Sequence, residues 1–218
     1  MRVLFFGDSI CNGQGIALHK GWVPRLSASL SDLAAAAGKE LVVINSAVNG
    51  RTTRQALETM PYEVQSQAPA VLVVQFGMND CNIWQTDRGN PRVSPLAFEG
   101  NLREIVQRGL TFGARAVYLH TNHPTTRDEA PLAHSPNTYE AQNRAYNEII
   151  RRVATTSDSR VRFLDIAAVF HEAVAGDPEG ARRFVLPDGL HLSEAGHDLY
   201  YRTVFPPLAT CVRDLLAE

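Results

Sequence analysis

Apolar and polar positions follow two different periods along this chain. Five short apolar runs rich in β-branched and aromatic residues recur: Val3 to Phe6, Leu41 to Ile44, Val71 to Phe76, Ala116 to Leu119, and Val161 to Leu164. None alternates strictly with polar residues, which is the pattern of strands covered on both faces. Between the runs the period becomes helical, over Trp22 to Ala37, Thr53 to Gln67, Pro95 to Phe112 and Thr138 to Thr156, and a last helix runs from Ser193 to Leu216. The third of these is the plainest: Leu96, Leu102, Ile105, Val106 and Leu110 are apolar, whereas Glu99, Arg103, Glu104, Gln107 and Arg108 are polar. Gly113 then supplies its stop. Strands alternating with helices of this length require right-handed crossovers. The expected fold is therefore α/β, a three-layer α/β/α sandwich around a five-stranded parallel sheet.

At 218 residues, 44% of them hydrophobic, the chain is expected to form a single domain over residues 1–218, with no repeat, low-complexity segment or linker to divide it. Charge is nearly balanced, 21 basic against 23 acidic residues, so no global field favours nucleic acid or an anionic membrane, and a small-molecule partner is expected. No apolar stretch approaches the roughly 20 residues that span a bilayer, and Met1-Arg2 runs straight into the first strand without a signal-peptide core, so a cytoplasmic location is expected. Cys11, Cys81 and Cys211 are odd in number and show no CxxC pairing, which points to three free thiols and to neither a disulfide framework nor a thiolate metal site.

In parallel sheets ligands bind beyond the carboxyl ends of the strands. Ser9, in Gly7-Asp8-Ser9, follows the first strand; Asn49-Gly50 follows the second, and Gly77-Met78-Asn79-Asp80 the third. Asp188 and His191 lie just before the last helix, and the longer loops from Cys81 to Ser94 and from Thr121 to Asn137 border the same rim. A serine hydroxyl is a poor nucleophile at neutral pH until a base takes its proton, and His191 is the candidate base. Asp188, three residues earlier, is placed to hold the imidazole in the correct tautomer. Attack on a carbonyl creates an oxyanion, for which three donors are available: the Ser9 N–H at a helix entrance, the Gly50 N–H, and the Asn79 side-chain amide.

With these residues in this order the chain resembles the GDSL, or SGNH, hydrolase superfamily. Four blocks carry the resemblance: Gly7-Asp8-Ser9-Ile10, with isoleucine where leucine is commonest; Ala47-Val48-Asn49-Gly50-Arg51-Thr52-Thr53; Gly77-Met78-Asn79-Asp80; and Asp188 to His191. The resemblance implies a flavodoxin-like sandwich, no metal or other cofactor, and hydrolysis of a carboxylic ester through an acyl-serine intermediate. It leaves open a lysophospholipase, thioesterase, arylesterase or carbohydrate deacetylase. A transferase on the same residues is the near alternative, and a metal-dependent phosphoesterase the distant one, since no Asp-x-His motif completes a two-metal site.

Other residues at the rim invite both functional and structural readings. Asp8 is expected to brace the turn beside Ser9, and Asp80 to cap or brace the loop that follows it. Arg51, with Arg54, Arg88, Arg92 and Arg127, is a candidate ligand for an anionic or polyhydroxylated substrate. Trp84 is a candidate wall for an acyl or sugar group, and His123 a candidate pocket residue, whereas Trp22 is expected to pack its helix. His120 and His123 lack the third ligand of a zinc site. His19, His134, His171 and His197 are expected on the surface or in packing roles.

Overall fold

The computed structural model describes residues 1–177 and 179–218. Five parallel strands, β1 (Arg2–Gly7), β2 (Val42–Asn45), β3 (Val71–Gln75), β4 (Ala116–His120) and β5 (Val161–Leu164), form one sheet in the order β2-β1-β3-β4-β5. The helices are α1 (Ser9–Asn12), α2 (Trp22–Ala36), α3 (Thr53–Glu63), α4 (Pro95–Thr111), α5 (Tyr139–Thr155), α6 (Ile166–Val174) and α7 (Glu194–Ala217). Helix α2 packs on α7, with α6 beside it, while α3, α4 and α5 pack in succession as a second layer. This is the doubly wound order whose direction reverses between β1 and β3, the place where such folds bind ligands.

Burial follows strand position. Val3, Leu4, Phe5 and Phe6 of β1 are fully buried, as are the residues of β3 and β4, because helices cover both faces. The edge strands β2 and β5 depart from the expectation of burial on both faces, and their residues are half-buried or exposed. A strand with one neighbour leaves part of its surface to solvent. Helix α3, expected over Thr53 to Gln67, is shorter than its pattern predicts. It ends at Glu63, the chain tightens into a 3₁₀ turn over Gln65–Gln67, and Ala68 closes the segment at φ 41°. Pro61 within α3 lacks the N–H that would bond the preceding turn. All three cysteines are buried and unpaired. Among the described residues no helix is long and apolar enough to cross a membrane.

Register is what gathers the rim. Gly7 of β1 lies opposite Gln75 of β3, so Ser9 and the segment Gly77 to Asn79 leave the sheet side by side. The Val48 N–H donates to the Gly7 carbonyl at 3.1 Å, and Asn12 Nδ2 donates to Asn49 Oδ1 at 2.8 Å, which together fold the loop after β2 over the end of β1.

Candidate active site

Ser9 is the first residue of α1, and its turn is built by its neighbour. The Asp8 carboxylate accepts the Ile10 N–H at 3.0 Å and so caps the helix, the bracing role its position suggested. Trp22, buried and stacked on Tyr200 at 4.3 Å, donates its indole N–H to the Ile10 carbonyl at 2.8 Å. It anchors the elbow as well as its own helix. Helix α1 is a single turn, so the field at its entrance is that of a few peptides and not of a long helix dipole.

A continuous row of hydrogen bonds joins Ser9 to a pair of side chains far along the chain. Ser9 Oγ lies 3.0 Å from His191 Nε2, and His191 Nδ1 lies 2.5 Å from Asp188 Oδ2. The second oxygen of Asp188 accepts the backbone N–H groups of Leu190 at 2.8 Å and His191 at 3.0 Å. Desolvation pushes the Asp188 carboxyl upward, but the bonds from the His191 ring and these two amides outweigh it and hold the group below the usual carboxylate range. An ionised Asp188 fixes the proton on Nδ1 and leaves Nε2 as the acceptor facing the serine hydroxyl.

The segment carrying Asp188 and His191 is held from two sides. The Leu186 N–H donates to the His191 carbonyl at 2.7 Å, and the Gly189 N–H donates to the Leu186 carbonyl at 2.9 Å. From the loop after β4, the Thr126 N–H donates to the Gly189 carbonyl at 3.0 Å, Arg127 Nε to the Asp188 carbonyl at 2.8 Å, and His123 Nε2 to the Leu190 carbonyl at 2.8 Å. Gly189 adopts φ 72°, and a Cβ there would lie 2.6 Å from Thr126 Oγ1, so the tight approach of the two loops needs glycine. Nothing local in the sequence announces this clamp.

The candidate oxyanion donors Ser9, Gly50 and Asn79 follow β1, β2 and β3 respectively along the chain. The backbone N–H groups of Ser9 and Gly50 make no hydrogen bond within the protein among the described residues. Gly50 adopts φ 77° in open space, with nothing within 4 Å of where a Cβ would stand. Its glycine answers a backbone conformation and not a crowded approach. Asn79 Nδ2 donates to Asp8 Oδ2 at 3.3 Å, which uses one of its two hydrogens.

Two buried carboxyl groups lie behind this edge. Burial raises Asp8 to about 7, opposed by the Ile10 bond and reinforced by the charge of Asp80. Burial likewise raises Asp80 to about 6, although Asp80 Oδ1 accepts the Thr53 N–H at 2.9 Å and the Thr53 hydroxyl at 2.5 Å. Asp80 thus ties the start of α3 to the loop after β3, a bracing role.

The remaining candidates are placed differently from one another. Arg51 is buried, and its guanidinium forks onto the Glu63 carboxylate at 2.6 and 2.7 Å and donates to the Ser46 carbonyl at 2.9 Å. These bonds hold the loop after β2 against α3, so the structure places Arg51, a candidate substrate ligand, in a structural ion pair. His123 is fully buried, packs on Phe170 and bonds the Leu190 carbonyl; burial drives its pKa down to about 4. It supports the His191 segment from behind. Trp84 is half exposed at the rim with the Arg92 guanidinium 4.2 Å over its ring. Arg54 and Arg88 are exposed. His120 and His197 are buried, bonding the Tyr200 hydroxyl and the Trp22 N–H respectively. Among the described residues no group of three His, Cys, Asp or Glu side chains is arranged to hold a metal.

A cleft of about 300 Å³ adjoins Gly50, lined by Val48, Asn49, Gly50, Arg51, Gln55, Glu58 and Thr59. Larger cavities, such as one of about 490 Å³ between β5 and α7, lie away from Ser9.

A hydroxyl, an imidazole and a carboxylate in one bonded row, at the carboxyl rim of a parallel sheet between helical layers, put the molecule in the class of carboxylic ester hydrolases with an α/β/α fold. Residues 5–199 match the GDSL-like lipase/acylhydrolase family, and the chain belongs to that family. It is 25% identical over 206 residues to the esterase TesA of Pseudomonas aeruginosa, covering 94% of this chain and 87% of that protein. It is also 25% identical over 190 residues to an arylesterase of Vibrio mimicus, covering 87% of this chain and 79% of that protein. Among solved structures, a lipase/acylhydrolase from Enterococcus faecalis superposes with a TM-score of 0.71 at 23% identity, covering 96% of this chain and 95% of its own. An acetyl xylan esterase superposes with a TM-score of 0.69 at 21% identity, covering 94% and 100%. These two structures share the fold.

Proposed function

We propose that the protein hydrolyses a small or carbohydrate-linked carboxylic ester through an acyl-serine intermediate on Ser9. The observation that carries this reading is the unbroken row from Ser9 Oγ through His191 to Asp188, at 3.0 and 2.5 Å. His191 takes the Ser9 proton as Oγ attacks the ester carbonyl, and the Ser9 and Gly50 N–H groups and the free hydrogen of Asn79 receive the oxyanion. Collapse expels the alcohol, protonated by the imidazolium, and leaves an acyl-Ser9; water activated by the same imidazole then releases the acid. Asp188 stays ionised throughout and stabilises the imidazolium.

Support for a small or hydroxylated substrate comes from the cleft beside Gly50. It is of modest volume, open, and lined by amide, hydroxyl and carboxylate side chains of Asn49, Gln55, Thr59 and Glu58. The relatives named for arylester and acetyl xylan hydrolysis fit the same reading.

The test is hydrolysis of p-nitrophenyl esters from acetate to decanoate by wild type and Ser9→Ala, with and without EDTA. Short chains should be preferred, Ser9→Ala should lose at least about 10³-fold in kcat, and EDTA should have no effect. A preference for decanoate would overturn the small-acyl reading. EDTA-sensitive turnover that survives Ser9→Ala would overturn the mechanism.

A further inference from the structure

The loop between β3 and α4 sends one side chain back across the rim, and that side chain touches two of the three candidate oxyanion donors. Arg92 Nη1 donates to the Gly50 carbonyl at 3.1 Å and lies 3.4 Å from Asn79 Oδ1. The guanidinium itself is restrained, because its central carbon lies 4.2 Å from the centre of the Trp84 ring, a cation–π contact. The backbone is fixed as well: the Arg92 N–H donates to the Asn82 carbonyl at 2.9 Å and the Val93 N–H to the Asp80 carbonyl at 3.1 Å. This loop therefore folds back on the same segment that carries Asn79.

From this geometry we infer that Arg92 is a positioning residue that sets the two halves of the oxyanion site, Gly50 and Asn79, relative to each other. Asn79 is a primary amide whose oxygen and nitrogen ends can exchange places by rotation. The Arg92 cation on the oxygen end and the Asp8 carboxylate on the nitrogen end, 3.3 Å away, select one orientation. In that orientation the second Asn79 hydrogen is left to the substrate. At Gly50 the same nitrogen grips the carbonyl of a residue at φ 77°, which anchors the peptide that follows the candidate N–H and so restrains the exposed turn in which that N–H sits. Preorganised donors stabilise an oxyanion because they need no reorientation as charge develops. Long contacts in a free enzyme are expected to shorten once the transition state forms.

Arg92 therefore acts through Gly50 and Asn79 and not as a substrate ligand, which separates it from Arg54 and Arg88 on the exposed rim. The inference rests on the Ser9 esterase reading, and the experiment distinguishes the two. The kcat and KM for p-nitrophenyl acetate are measured for wild type, Ser9→Ala, Arg92→Ala and Trp84→Ala, alongside the Ki of a methyl trifluoromethyl ketone. That ketone forms a tetrahedral serine adduct bearing an oxyanion. Arg92→Ala should lower kcat at least tenfold with KM within about threefold of wild type, and should raise the ketone Ki by a comparable factor. Added guanidinium ion should restore part of the loss, which a misfolded variant would not allow. Trp84→Ala, at a half-exposed position, should show the same pattern more weakly. An unchanged kcat in both variants, or a raised KM with unchanged kcat, would overturn the inference while Ser9→Ala still abolished turnover. Turnover that survived Ser9→Ala would instead overturn the reading on which it rests.

Discussion

Asp188 holds its partners through both oxygens, and that division of labour makes a simple substitution informative. Asp188→Asn keeps the size of the side chain and an oxygen for the Leu190 and His191 amides, but it presents an N–H to His191 Nδ1 where an acceptor stood. The imidazole is then driven to the tautomer whose Nε2 carries the proton and cannot take one from Ser9. Turnover of p-nitrophenyl acetate by this variant should fall about 10²- to 10⁴-fold, with the unfolding midpoint little changed. Activity within a few-fold of wild type would mean that Asp188 is not the residue that orients the imidazole. Asp8 illustrates the opposite case, a carboxyl next to the serine whose bonds are to the backbone and to Asn79 and whose work is structural.

At the level of elements, the loop after β4 is the frame on which the Asp188 and His191 segment rests. His123, Thr126 and Arg127 each donate to one of its carbonyls, and Gly189 lets the two loops touch. Gly189→Ala forces a side chain into φ 72° against Thr126, and should cost about 1–3 kcal/mol of stability in chemical denaturation and lower kcat with it. A variant as stable and active as wild type would show that the contact is not a constraint. The strands, the long helices and the rim positions of Ser9, Asp188 and His191 were legible in the sequence because each leaves a local mark: a buried run, a period of 3.6, or a turn at a strand end. The clamp was not legible, since His123 and Leu190 are separated by 67 positions and neither stands in a distinctive pattern. The ion pair of Arg51 was not legible for the same reason, since Glu63 stands twelve residues on and one helix length away. The edge strands and the shortened α3 differ from expectation because exposure depends on neighbours that a single run does not reveal.

The whole molecule concentrates polar groups at the point where the strand order reverses, and it does so at a cost in stability. Asp8 and Asp80 are raised by burial to about 7 and about 6, well above the value near 4 that each has in an unfolded chain. Between pH 4 and 7 the folded state consequently binds more protons than the unfolded one, so these groups make stability fall as pH rises through that window. Ion-paired carboxylates nearer the surface such as Glu99, held down to about 2 by hydrogen bonds from Arg152 and Arg103, act in the opposite sense at lower pH. The comparison that isolates the buried group is wild type against Asp8→Asn in urea at pH 4.5 and pH 7.5. Wild type should lose roughly 1–4 kcal/mol relative to the variant over that interval. Parallel pH dependence in the two proteins would contradict a raised Asp8.

The identity of the nucleophile can be read directly by treating the protein with a fluorophosphonate and mapping the adduct by peptide mass spectrometry. A single phosphonyl group on Ser9, absent from Ser9→Ala and formed much more slowly by His191→Ala, is the predicted result. Labelling at another residue, or full esterase activity after Ser9 has been blocked, would contradict an acyl-serine mechanism at this site.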